Sequence, residues 1–134
     1  MSGQKGSKGE NELGGLFEDS GYAWMRQAGS GTADRELPDI AVGNGFHFIV
    51  MEVKRWSNEA DYGYLSKREV EDLIYFAKNF GAEYYIAARF DYRNWQFFKK
   101  EEMHETKKSF RIDNVKNEEI QRTLEDVCKE VKTG

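Results

Sequence analysis

Pro38-Asp39-Ile40-Ala41-Val42-Gly43-Asn44-Gly45-Phe46-His47-Phe48-Ile49-Val50-Met51-Glu52-Val53-Lys54 is the stretch on which the fold turns. Two apolar runs flank Gly43-Asn44-Gly45, and Asn-Gly between such runs is a strong hairpin signal, because both residues tolerate the positive φ that a tight turn demands. The pattern predicts strands over residues 37–42 and 46–54. With Asn44 and Gly45 as the two turn residues, Asp39 stands opposite Val50 and Ala41 opposite Phe48. Opposed residues and i, i+2 neighbours share a face of a sheet. Asp39, Glu52 and Lys54 therefore lie on one face, with Asp39 and Glu52 as diagonal neighbours about 7–8 Å apart at the backbone. Ile49, Met51 and Val53 point the other way, into the core.

Outward from this hairpin, residues 5–19 read as a helix carrying Leu13, Leu16 and Phe17 at i, i+3 and i+4, with Gly21 as a stop. Residues 22–28 read as a short strand and 29–36 as a loop. Beyond the hairpin, residues 55–66 are polar and predict a mobile loop, and Lys67–Phe80 switches to helical spacing with Gly81 placed for a left-handed cap. Strands over 83–90 and 95–98, joined by Asp91-Tyr92-Arg93-Asn94, must run antiparallel because their connection is so short. A last helix over 117–131 repeats Ile120, Leu124, Val127 and Val131 along one stripe, with Asn117 available to cap it. The order predicts an α/β arrangement, a mixed central sheet flanked by helices, in a single domain spanning residues 1–134.

Composition narrows the classes. The chain has 134 residues, enough for one core without a disulfide or metal staple. Aromatic residues make up 14%, too many for a disordered tail. The lone Cys128 closes no intrachain disulfide, and the N-terminal stretch has no signal-peptide core, which points to the cytoplasm. No apolar run approaches the roughly 20 residues of a membrane helix. With 20 basic against 24 acidic side chains, any anion is held locally and not by bulk charge.

Two carboxylates and an ammonium group at the end of an apolar strand are costly to bury, and such groups survive when paired or bound to a cation. Oxygen ligands of this kind suit Mg²⁺ or Mn²⁺. A metal there polarises a phosphoryl oxygen and lowers the pKa of a bound water, while Lys54 orients the attacking water or steadies developing negative charge. The competing reading is a plain ion pair between Glu52 and Lys54 at the strand end.

Pro38-Asp39, a gap, then Glu52-Val53-Lys54 resembles the signature of the PD-(D/E)xK metal-dependent nuclease superfamily. Together with Gly9-Glu10-Asn11-Glu12-Leu13, Gly21-Tyr22-Ala23, Arg26, Gly29-Ser30, Lys67-Arg68 and Phe76 through Phe80-Gly81, the ordered set resembles the archaeal Holliday-junction resolvases of the Hjc type over residues 5–98. That resemblance implies a restriction-endonuclease-like fold and a structure-selective endodeoxyribonuclease. Such an enzyme acts as a homodimer and nicks two opposing strands of a four-way DNA junction. It implies Glu10, Asp39 and Glu52 as metal ligands with the backbone carbonyl of Val53, Lys54 as the catalytic lysine, Ser30 near the scissile phosphate and Arg26 on a substrate phosphate. The rivals are another nuclease of the superfamily, in repair or restriction, and a DNA-binding module of the same fold that does not cut.

Helical spacing bears on the dimer independently. Val70, Ile74 and Ala77 cluster on one side of the second helix, while Leu73, Phe76 and Phe80 cluster about 80° away. One stripe can cover the sheet and the other meet a symmetry mate; alternatively both fill a larger core. Basic pairs, among them Lys54/Arg55 and Lys67/Arg68, are candidates for backbone phosphates. Trp56, Tyr62 and Tyr64 are candidates for contact with sugars or bases. His47, on the strand face away from Glu52, reads as structural, His104 as solvent-exposed, and Cys128 as a small buried residue.

Overall fold

A computed structural model describes residues 2–27, 34–115 and 120–130. In chain order the elements are α1 (Ser2–Asp19), β1 (Ala23–Arg26), β2 (Ile40–Gly43), β3 (Phe48–Trp56), β4 (Tyr62–Ser66), α2 (Lys67–Phe80), β5 (Glu83–Phe90), β6 (Gln96–Phe98), β7 (His104–Glu105), β8 (Ser109–Asp113) and α3 (Leu124–Glu130), with a 3₁₀ turn at Lys100–Glu102. Among the described residues, five strands form a sheet in the order β1-β2-β3-β5-β6, and a separate three-stranded sheet runs β4-β8-β7. β3 and β5 are parallel and the other neighbours antiparallel. The mixed sheet flanked by helices is the predicted class, and no described helix is long and apolar enough to cross a membrane.

The hairpin forms, but its register differs from the expected one. Gly43 pairs with Phe48 and Ile40 with Met51, which centres the turn on Gly45-Phe46 instead of Asn44-Gly45. Asn44 is the cause. Its side-chain oxygen accepts from the backbone N–H groups of Phe46 (2.9 Å) and His47 (2.7 Å), so the side chain takes the place of a backbone acceptor, and Gly45 alone carries positive φ, at 96°. The displacement is two residues, an even number, so every side chain keeps its face. Extending the ladder one position beyond Ile40–Met51 sets Asp39 directly opposite Glu52.

Each face of the sheet has its own core. On one, Leu13 and Phe17 of α1 are fully buried against Ile40, Val42, Ile49, Met51, Val53, Tyr85 and Phe97; Leu16, expected on the same stripe, is 40% exposed. Gly14 explains how α1 sits so close, since a Cβ there would lie 2.2 Å from the Trp24 ring. On the other face α2 brings Val70, Leu73 and Ala77 onto Val50, Ile86 and Ala88. The bounds of α2 are the expected ones. Ser66 and Glu69 form a reciprocal capping box, and Gly81, at φ 83°, closes the helix with its N–H on the Ala77 carbonyl.

Other expectations are corrected. Residues 55–66 are not one loop: Arg55 and Trp56 continue β3, and Tyr62–Ser66 is a strand paired with β8. Its inward positions are Gly63 and Leu65, and the Gly63 position lies so close to the Trp56 ring that a Cβ would be 2.3 Å away. Missing a bulky side chain at one inward position, the strand shows too weak an alternation to read from sequence. The last helix starts at Leu124, capped by Thr123 and Asp126 in reciprocal bonds of 2.9 and 3.2 Å. Asn117, the expected cap, lies outside the described residues, and Ile120 precedes the helix.

Candidate active site

Asp39 is fixed at the mouth of the hairpin by the main chain on both sides. Its N–H donates to the Met51 carbonyl (3.0 Å), its carbonyl accepts from Gln27 N–H (3.0 Å), and its carboxylate accepts from Val53 N–H (2.8 Å). Glu52, on the neighbouring strand, is 7% exposed and stands opposite Asp39, close enough for the two carboxyls to interact. Burial, then the charges of Asp39 and Glu69, push the Glu52 carboxyl far above its ordinary range. Burial raises Asp39 too, against the opposing bond from Val53. Two carboxyls driven together inside a fold are held by shared protons unless a cation neutralises them.

Glu10, in α1, is half-buried and close enough to Asp39 to feel its charge. Burial and then the Asp39 charge push its carboxyl up to about 7, partly offset by Arg26. Glu10, implied by the resemblance as a metal ligand, is thus in electrostatic reach of Asp39. Among the described residues no group of three His, Cys, Asp or Glu side chains is gathered tightly enough to ligate one ion, so Asp39 and Glu52 are the close pair and Glu10 a flanking acid. The donor chemistry, all oxygen and mutually repelling, fits a hard divalent cation. Val53 contributes its backbone N–H to Asp39, while its side chain packs in the core. Ser30 lies outside the described residues.

Lys54 does not pair with Glu52. Its Nζ lies 2.7 Å from Oε2 of Glu69, a residue the sequence reading did not assign. Burial alone would lower the Lys54 pKa, but the Glu69 hydrogen bond and the charges of Glu69, Glu52 and Asp39 outweigh it and raise the value. Glu69 is lowered: burial acts against it, and the bonds from Lys54 and the Ser66 N–H prevail. The signal for Glu69 was present in Ser66-x-x-Glu69, a capping-box spacing; its reach to Lys54 was not.

The basic candidates are engaged within the protein. Arg55 pairs with Asp91 at 2.8 Å and Lys67 with Glu105 at 2.8 Å. Arg68 contacts Asp72 at 3.4 Å and donates to the Asp34 carbonyl at 2.5 Å. Asp72 also accepts from Glu36 N–H at 3.0 Å, so α2 holds the segment that leads into Asp39. Arg26 is on the exposed edge strand. Leu73, expected on an open stripe, is 2% exposed: Val70, Leu73 and Ala77 form the covering stripe at i, i+3, i+7, and Leu73 belongs to the core. Phe76 packs partly against that core and stacks on Phe80 at 5.0 Å, and Phe80 is 63% exposed. His47 is buried with its ring nitrogen 3.2 Å from the Tyr22 hydroxyl, and His104 is exposed beside Asp113.

Comparison with known proteins adds four findings. The family model described as "Archaeal holliday junction resolvase (hjc)" matches residues 1–133. A protein named crossover junction endodeoxyribonuclease Hjc from Archaeoglobus fulgidus is 40% identical over 109 residues, covering 81% of this chain and 79% of that protein. One of the same name from Methanocaldococcus jannaschii is 34% identical over 88 residues, covering 66% of this chain and 61% of that protein. The solved structure of A. fulgidus Hjc, titled a Holliday junction resolvase from an archaeal hyperthermophile, superposes with a TM-score of 0.71 at 37% identity, over 80% of this chain and 87% of that one.

Proposed function

Because the chain belongs to the archaeal Holliday junction resolvase (Hjc) family, we propose that it is an endodeoxyribonuclease that resolves four-way DNA junctions by paired nicks, as a homodimer with Mg²⁺ at each active site. The observation that carries this reading is the pair Asp39–Glu52, a half-buried and a buried carboxylate set opposite each other where β2 and β3 meet, a costly arrangement that a hard dication relieves.

Asp39 and Glu52 would hold the ion, assisted by Glu10 and the Val53 carbonyl; Mn²⁺ suits the same donors. When bound there, such an ion would supply positive charge able to polarise the scissile phosphate and to lower the pKa of a water. The chain's own groups do the rest. Val53 N–H keeps one Asp39 oxygen fixed, so the carboxylate presents the other. The Lys54 ammonium supplies a proton donor and a positive charge next to the carboxylate pair, where negative charge grows as the phosphodiester is attacked. Ser30 and Arg26 are assigned to the substrate phosphate. Arg55, Lys67 and Arg68 are assigned to backbone phosphates, which for the paired residues means exchanging a carboxylate for a phosphate. Such exchange makes binding strongly salt-dependent.

The dimer surface is assigned to Phe76 and Phe80. An isologous pairing there sets two active sites at a fixed separation, and two sites so held select DNA by the geometry of the junction instead of by base edges.

The test is cleavage of a synthetic four-way junction with Mg²⁺ and with EDTA, for the wild type and Asp39→Asn. Cleavage is expected only in Mg²⁺, lost by at least about 1,000-fold in the variant, a barrier increase of roughly 4 kcal/mol, with junction binding retained. Metal-independent cleavage, or full activity of Asp39→Asn, overturns the site. Equal cutting of plain duplex and flap DNA overturns the substrate.

A further inference from the structure

We propose that Glu69 is a positioning residue for the reaction, holding the Lys54 ammonium in place from α2; the proposal rests on the role assigned to Lys54 above. Each oxygen of this carboxylate has its own task. Oε2 lies 2.7 Å from Lys54 Nζ. Oε1 accepts from Ser66 N–H at 2.9 Å, and Ser66 Oγ accepts in return from Glu69 N–H at 3.0 Å. The capping bond fixes the carboxylate, so the position of the lysine head is set by the start of α2 and not by its own strand. The side chains of the pair are 28% and 18% exposed, shielded enough for the contact to persist.

A lysine head needs such a tether here. Its stem is flexible and its charge compact. The other anions near it are Glu52 and Asp39, the proposed metal ligands, and an ammonium collapsed onto them would compete with the cation. Glu69 gives Lys54 a carboxylate that is not part of the ligand pair, leaving Asp39 and Glu52 for the metal. The next turn of the same helix carries Asp72, which holds the segment leading to Asp39 through Glu36 N–H. One helix thus references both the lysine and the approach to the first carboxylate.

The experiment compares wild type, Glu69→Gln, Ser66→Ala and Lys54→Met on a synthetic four-way junction. It reads single-turnover cleavage in Mg²⁺, junction affinity in Ca²⁺, the thermal midpoint, and, without metal or DNA, the rate at which acetic anhydride acetylates Lys54, followed by mass spectrometry. Gln keeps the capping acceptor but turns a donor toward the ammonium. For Glu69→Gln the expected result is cleavage slowed about 10- to 100-fold, as for a slightly misplaced reacting group. Junction affinity and thermal midpoint stay near wild type, and Lys54 acetylates several-fold faster. Ser66→Ala, which weakens the cap and leaves the ion pair, shows the reverse, a lower midpoint with cleavage retained. Wild-type cleavage or wild-type acetylation in Glu69→Gln overturns the proposal, as does an equal loss of cleavage in Ser66→Ala. If Lys54→Met still cleaves, the assignment of Lys54 fails and that of Glu69 with it; if Lys54→Met is dead and Glu69→Gln fully active, only Glu69 is wrong. Should Glu69→Gln fail to fold, Glu69→Ala combined with Ser66→Asp, which caps by the other route, carries the same readouts.

Discussion

On the α1 side of β3, Ile49, Met51 and Val53 run without interruption into the packing of Leu13, Phe17 and Tyr85. On the α2 side, Val50 is covered by Val70, Leu73 and Ala77, and the next positions along the same face are Glu52 and Lys54. The two rows share one backbone and alternate residue by residue, yet one ends in hydrocarbon and the other in charge. The α1 row gains stability from burial. The α2 row gives some of it up, because Glu52 is buried as an acid beside another acid. One strand therefore serves as both scaffold and site.

The difference can be broken from either side. The largest effect on stability belongs to the apolar face: Phe17→Ala removes a fully buried ring and should cost about 3–5 kcal/mol, read from denaturant midpoints. A smaller loss would mean that α1 is dispensable to the scaffold.

The charged face should respond to pH in the opposite sense from ordinary ion-paired carboxylates. Glu10 is raised from 4.5 to about 7 and Glu52 is raised further, so the folded protein binds more protons than the unfolded chain above about pH 4.5. Stability without metal therefore falls as pH rises, through the Glu10 value and beyond it. Thermal midpoints in EDTA should drop between pH 5 and 8, and Mg²⁺ should flatten the decline. A midpoint that rises with pH in EDTA would show that burial and mutual repulsion do not hold these acids protonated.

The smallest effect on the fold is expected at the outer edge of α2. Phe80 is 63% exposed, so Phe80→Asp should change protomer stability by no more than about 0.5 kcal/mol while converting a dimer to a monomer by light scattering. A dimer that survives the change places the interface elsewhere.

The site was largely legible before the fold was known. The period of two along residues 46–54 put Glu52 and Lys54 on one face and Met51 and Val53 on the other, and this held through a two-residue displacement of register because an even slip preserves faces. Local chemistry fixed the second helix as well: Ser66, Glu69 and Gly81 are its own caps, and their signals lie within a few residues of the bonds they make. By itself, then, the sequence determined the alternation of β3, the bounds of α2 and the set of acids that face one another. The tertiary structure decided what depends on contacts between segments distant in sequence. It set the turn centre through Asn44, the second sheet through Trp56 lying over Gly63, Leu73 as core instead of surface, and Glu69 as the partner of Lys54. No local pattern contains those choices, because each is settled by which of several compatible neighbours the packed chain brings within a few ångströms.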